Sequence, residues 1–263
     1  MTKQRTLPTR AFGAEPGVPD IPMLASWVAE HRGKSGDLIS FQLDQSLAPQ
    51  VSAGVSMPCC GGKFYQDRIM VSLIGIQDNH VVDEIGVSNA ALIEDAANIV
   101  AHKKGAWCAL PAPHVLGIND TYYGDEDEWC DVITSVYRTL MRSMRDVGIA
   151  GHVLICGQVD DAEISALTRQ KVFFFHPRPD RECLQTLMEY QRQVAVDTGH
   201  LDVVFDLSNE YDLHQVIVMN PDKESIALAL SRLDPDQVMS GGYCTEGCEQ
   251  YWKSVVDSAV YII

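Results

Sequence analysis

Cys244 and Cys248, in Ser-Gly-Gly-Tyr-Cys-Thr-Glu-Gly-Cys, are the residues whose type and spacing speak most directly of chemistry. They follow an apolar run and a Gly-Gly turn and open a helix-like segment over 245–258. On a helix, side chains four residues apart stand one above the other on the same face. Two thiols so placed clamp a soft metal ion, or one of them, at a helix N-terminus, becomes an acidic nucleophile. The competing reading is that they are small buried hydrophobes, because free cysteine is among the most buried residue types.

Four further residues stand where apolar, strand-like runs stop: Cys108 in Ala-Trp-Cys-Ala-Leu-Pro, Cys156 in Val-Leu-Ile-Cys-Gly, His176 in Phe-Phe-Phe-His-Pro and Asp206 in Val-Phe-Asp-Leu. In α/β architectures ligands gather at the carboxyl ends of parallel strands. Thiolate and imidazole together are the ligand set of zinc, and three protein ligands with an open position define a catalytic zinc site. The expected metal set is Cys156, His176 and Cys244, with Cys248 in reserve. Such an ion holds a thiolate for alkyl transfer or acidifies a bound water. Asp206 is expected to orient His176 or to act as a general base, with His176 as its acid–base partner.

Other candidates carry less. Adjacent cysteines such as Cys59 and Cys60, in Pro-Cys-Cys-Gly-Gly, rarely chelate one ion. His114 follows Pro-Ala-Pro and lines the same rim as Cys108, whereas His80 belongs to a hairpin turn. Cys130 and Cys183 lie in helical patterns as packing residues. The acidic run 125–128 is helix N-terminal charge, which the helix dipole favours. No Gly-x-Gly-x-x-Gly, Walker A or Gly-x-Ser-x-Gly motif occurs, so the usual nucleotide and serine-hydrolase signals are missing.

The elements that must position these residues alternate after residue 88. The spacing predicts helices over 88–104, 125–147, 180–197, 221–233 and 246–258. It predicts strands over 106–110, 152–156, 171–175, 201–207, 215–219 and 237–240. In the first third it predicts a strand over 37–43 and a β-hairpin of 68–76 with 80–87, turning at Gln-Asp-Asn. Alternation of this kind means a parallel sheet with helical crossovers. The expected fold is a (βα)8-like barrel with an irregular front end, and the alternative is an open doubly wound sheet. Residues 1–22, polar and proline-containing, read as an irregular arm, and 23–263 as one α/β domain.

A chain of 263 residues, 46% hydrophobic and 21% charged, can bury a full core. A net charge of −16 argues against nucleic acid and anionic membrane as partners, because both call for basic surface. A small-molecule substrate is the expected partner; oligomeric state leaves no mark in the sequence. Eight cysteines are too few for a disulfide scaffold of this size. No apolar run approaches the ~20 residues of a membrane span and no signal peptide is evident, so the expected setting is cytoplasmic with reduced thiols.

Cys156-Gly157 at a strand end, followed some ninety residues later by a cysteine after a strand, resembles the zinc-dependent thiol methyltransferases. These are the cobalamin-independent methionine synthase and uroporphyrinogen-decarboxylase-like barrel enzymes. The tail from Glu-Tyr-Asp212-Leu-His214 through Asn-Pro-Asp-Lys-Glu-Ser to Tyr-Cys244 is similar to the methionine synthase ending in order and spacing. The resemblance covers 126–263 and implies a barrel, bound zinc and methyl or alkyl transfer to a thiol. One departure stands out. Those families present His-x-Cys on one strand face, whereas His152 is four positions before Cys156, roughly 13 Å away on a strand, and Leu154 occupies the position two before it. His176 is then the better nitrogen ligand. Two other functions fit the same residues: a metal-free barrel lyase or hydrolase using His176, Asp206 and a cysteine, and a non-catalytic metal- or cofactor-binding protein.

Overall fold

The computed structural model describes residues 4–31, 36–169 and 171–262. The chain begins with β1 (Gln4–Thr6), β2 (Thr9–Ala14), α1 (Ile21–Glu30) and α2 (Leu38–Ser52). It continues with β3 (Cys59–Gly61), α3 (Gln66–Ser72), β4 (Leu73–Gln77) and β5 (His80–Val87). Strands and helices then alternate: α4 (Ala90–His102), β6 (Trp107–Pro111), α5 (Glu126–Val147), β7 (His152–Ile155), α6 (Asp161–Leu167), β8 (Val172–Phe175) and α7 (Arg181–Tyr190). The remainder is β9 (Gln193–Val196), α8 (Leu201–Leu207), β10 (Gln215–Met219), α9 (Lys223–Leu230), β11 (Val238–Cys244), α10 (Cys248–Ser258) and β12 (Val260–Ile262).

Eight of these strands form two four-stranded parallel sheets, β3-β6-β7-β8 and β2-β11-β10-β9. Two seams connect the sheets. At one, Ala11 N–H donates to Met57 O (3.0 Å) and Met57 N–H to Thr9 O (2.9 Å), a parallel bridge. At the other, a side chain stands in for a strand: the Gln191 amide accepts from Phe174 N–H and donates to Phe174 O, both at 3.0 Å. All eight strands send side chains into one shared cluster, among them Phe12, Cys59, Ala109, Ile155, Phe175, Ala195, Ile217 and Met239. Their opposite faces pack under the helices in two further clusters. Alternate residues of a strand point to opposite faces, and the sequence obeys this. Val153 and Ile155 face the shared cluster, whereas Leu154 and Cys156 face the helices.

Helix starts follow side-chain chemistry. Asp125, Asp160, Asp180 and Asp222 each accept a backbone N–H from the third residue onward, the role of an N-cap. The Asp78-Asn79 turn joins β4 to β5, both residues at positive φ, as a tight hairpin requires.

Several expectations are corrected. The segment 37–43 opens α2, not a strand: Asp37 caps it through Ser40 N–H, and Leu43, Leu47 and Gln50 are buried at helical spacing. The first half of the expected hairpin strand, 68–72, belongs to α3. The expected helix over 180–197 stops at Tyr190, and Gln-Val-Ala-Val becomes β9. The run 201–207 is α8, with Leu201, Val204 and Leu207 buried three apart; its β-branched residues suggested a strand, but burial follows the helical period. The arm expected over 1–22 contains β1, paired antiparallel with β12, and β2, every residue of which is buried. Among the described residues, no helix is long and apolar enough to cross a membrane.

Candidate active site

The carboxyl ends of the parallel strands surround a cleft of about 610 Å³. Its walls include Lys63 after β3, His176 and Arg178 after β8, Asp197 after β9, Asn220 after β10 and Tyr243 near the end of β11. Beside it, a chain of hydrogen bonds ties four strand ends together, those of β2, β3, β10 and β11. Glu15, just past β2, takes Lys63 N–H (2.6 Å) and the Tyr243 hydroxyl on one carboxylate oxygen. Tyr251 of α10 accepts Tyr243 N–H (2.8 Å) and donates to the Asn220 side-chain carbonyl. Burial, with Glu15 next to it, pushes the Tyr243 phenol well above its usual range, so it remains a donor. Gly62 makes this junction possible, because a Cβ there would lie 2.3 Å from Ala14 O.

Cys244 and Cys248 do meet, although not as two residues of one helix. Cys244 is the last residue of β11 and Cys248 the first of α10. Gly247, in the left-handed region at φ 59°, turns the chain between them. Their sulfurs stand 2.7 Å apart, and Cys244 Sγ also lies 3.3 Å from Glu246 O. As the donor to Cys248, Cys244 is pushed above the usual thiol range, with burial adding to the effect. Cys248, as acceptor, is drawn below it.

The other expected ligands do not join them. Cys156 points to the helical side of its strand, away from the cluster that holds Cys244, and burial raises its thiol pKa, with Cys183 and Glu163 adding to the rise. His176 is in the cleft, but both ring nitrogens are engaged. Nε2 faces Gly157 O at 3.0 Å, so it carries the proton, and Nδ1 accepts Arg178 N–H at 3.2 Å. His114 grips the same turn from the other side: Nδ1 donates to the buried Glu163 carboxylate (3.0 Å) and Nε2 accepts Gly157 N–H (3.1 Å). The Gly157 residue is thus held between two imidazoles, which explains both histidines structurally.

Asp206 is a correction. It belongs to α8, its side chain 72% exposed and 3.7 Å from Arg181, and not to a strand end. The residue that follows the strand there is Asp197. Cys59 and Cys60 fall in different clusters, on opposite faces of β3, as adjacent strand residues must. Cys108 is fully buried among the helices, and Cys130 and Cys183 lie in α5 and α7.

Zinc needs three protein ligands within bonding distance of one point. Among the described residues no group of three His, Cys, Asp or Glu side chains can hold a metal ion. The expected set of Cys156, His176, Cys244 and Cys248 supplies two sulfurs and stops there, so it does not fit a catalytic zinc.

Glu15, Asn220, Tyr243 and Tyr251 carry no prominent signal in the sequence. Glu15 lay inside the supposed irregular arm. Asn220 had a readable sign: an Asn-Pro step directly after an apolar strand, with Asn220 at φ 47°.

The fold is shared with solved methyl-transfer proteins of TIM-barrel type. A putative vitamin-B12-independent methionine synthase from Listeria monocytogenes superposes with a TM-score of 0.64 at 12% identity, over 97% of this chain and 95% of that one. A B12-independent methionine synthase from Shewanella, in complex with selenomethionine, gives 0.54 at 12% identity over 97% and 96%. The metallated form of a homocysteine methyltransferase from Escherichia coli gives 0.53 at 13% over 96% of each. No protein-family model matches the sequence, and no curated protein does.

Proposed function

We propose that this chain is a (βα)8-like barrel enzyme that transfers a methyl or alkyl group to a small thiol substrate in the cleft at its strand ends. The observation that carries the reading is end-to-end likeness of fold to a methionine synthase and a homocysteine methyltransferase, with the open cleft at the end of the strands where such folds bind ligands. The rim offers Lys63 and Arg178, both exposed and neither ion-paired among the described residues, to an anionic group of the substrate. The Glu15–Tyr243–Tyr251–Asn220 chain gives the floor beside it a fixed arrangement of donors and acceptors. The reading gives no step to zinc, because the ligands expected for it do not converge. Nor does it use a His176–Asp206 acid–base pair, since the two stand on different elements and His176 has no free nitrogen.

The test offers homocysteine as acceptor together with isotopically labelled sulfonium and N-methyl donors, with the product followed by mass spectrometry. The metal content of the same reduced protein is measured alongside. Labelled thioether that disappears in Arg178→Ala supports the reading. Stoichiometric metal with no transfer from any donor would replace it with a non-catalytic metal-binding protein.

A further inference from the structure

We propose that Cys244 and Cys248 form a modification site, a dithiol that low-molecular-weight disulfides oxidise to an intramolecular disulfide at the edge of the cleft. The inference goes beyond the proposed transfer activity, and its test reads sulfur chemistry alone.

Three features of the geometry point to it. The sulfurs are already 2.7 Å apart, against about 2.05 Å for a disulfide, so closure asks for little movement. The two thiols also differ in access. Cys244 is fully buried, whereas Cys248 is half-exposed behind an exposed loop of Thr245, Glu246 and Gly247. A reagent therefore meets Cys248 first and finds Cys244 directly behind it. Finally, the loop between them has Gly247 already in the left-handed conformation that turns β11 into α10, so the pair is held by the fold and not by a flexible arm. No other pair of cysteines combines these features. Cys60 and Cys108 face each other across β3 and β6 but are both fully buried. Cys156 is buried, and among the described residues its sulfur makes no hydrogen bond to the nearby Cys183 thiol.

The exchange balances as two successive displacements. The Cys248 thiolate attacks one sulfur of the small disulfide, whose S–S bond breaks. One small thiol leaves with the proton given up by Cys248, and a mixed disulfide remains on Cys248. The Cys244 sulfur then attacks Cys248 Sγ, the mixed disulfide breaks, and the second small thiol leaves with the Cys244 proton. The protein is oxidised by two electrons, and the small disulfide is reduced to two thiols.

The experiment titrates the 263-residue chain in oxidised and reduced glutathione, quenches it with an alkylating agent, and maps tryptic peptides by mass spectrometry. Cys244 and Cys248 share one peptide, because no Lys or Arg separates them. In the wild type that peptide should become lighter by two hydrogen atoms and escape alkylation, reversibly, before any other cysteine reacts. Cys244→Ser should instead accumulate glutathione on Cys248, and Cys248→Ser should block modification of the peptide. Cys248→Ala repeats the last arm with a residue that adds no hydroxyl. A stable adduct on wild-type Cys248 without ring closure would overturn the proposal. So would earlier oxidation at another cysteine pair, or equal reactivity of Cys244 in Cys248→Ser.

Discussion

The two ends of the parallel strands are built on opposite plans. At the amino end, the Arg10 guanidinium lies over three aromatic rings, 4.4 Å from the centroid of Phe173, 4.6 Å from Trp107 and 5.3 Å from Phe12. It donates to Gln193 (2.9 Å), which in turn reaches Gln215 (3.2 Å). Burial lowers the Arg10 pKa to about 10, so it remains a cation, held by ring faces instead of a carboxylate. At the carboxyl end the side chains are polar, several are exposed, and they surround a cleft. The amino end spends its charge on closing the interior, and the carboxyl end leaves charge available. This division is the one expected where stability and function occupy opposite faces of a parallel-strand fold.

Five substitutions sharpen or break the contrast. The largest effect should come from Phe12→Ala, since Phe12 is fully buried between Arg10 and the rings of Phe173 and Phe175. A loss of about 3–5 kcal/mol in denaturant unfolding is expected; a loss under about 1 kcal/mol would mean that the interior is not packed as described. Gln191→Leu follows. It leaves Phe174 N–H and C=O unpaired at the seam between the sheets, for a loss of about 2–4 kcal/mol, read by the same unfolding curves.

The third is a pH effect. His152 donates Nε2–H to Met141 O, and burial brings its pKa from 6.5 down to about 3. The unfolded chain therefore binds a proton below about pH 6.5 that the folded chain refuses until about pH 3. The stability is present above pH 6.5 and is lost as pH falls through this window, at a slope of about 1.4 kcal/mol per pH unit from this group. In His152→Gln that contribution should vanish, and an unchanged acid limb would contradict it. The smallest stability effects belong to the exposed side chains. Arg178→Ala and Asp206→Asn should each change stability by less than about 0.5 kcal/mol. Only Arg178→Ala should impair the proposed methyl or alkyl transfer to a thiol, measured as kcat/KM. A matching loss in Asp206→Asn would return a function to α8.

Some of this molecule was written in local sequence. Asp caps, the Asp-Asn hairpin turn and the 3.6-residue period of α4 and α5 act between near neighbours, so they place elements wherever the chain folds. The parallel alternation and the cysteines worth watching were legible for the same reason. Short segments were not. Gln193–Val196 and Leu201–Leu207 are both brief and rich in valine, and only burial against the neighbouring elements made one a strand and the other a helix.

The site depended still more on tertiary structure. Strand parity put Cys156 on the helical face and Cys244 in the interior, a choice set by the fold's layers and not by either residue's neighbours. Both nitrogens of His176 went to backbone partners that only the folded turn supplies. Glu15 gained its role from Tyr243 of β11, more than two hundred residues away in sequence. Sequence alone determined the long amphipathic helices, the helix caps and the tight hairpin turn, because these act between near neighbours. Their meeting was decided by packing, because long-range contacts depend on which faces the whole chain must bury.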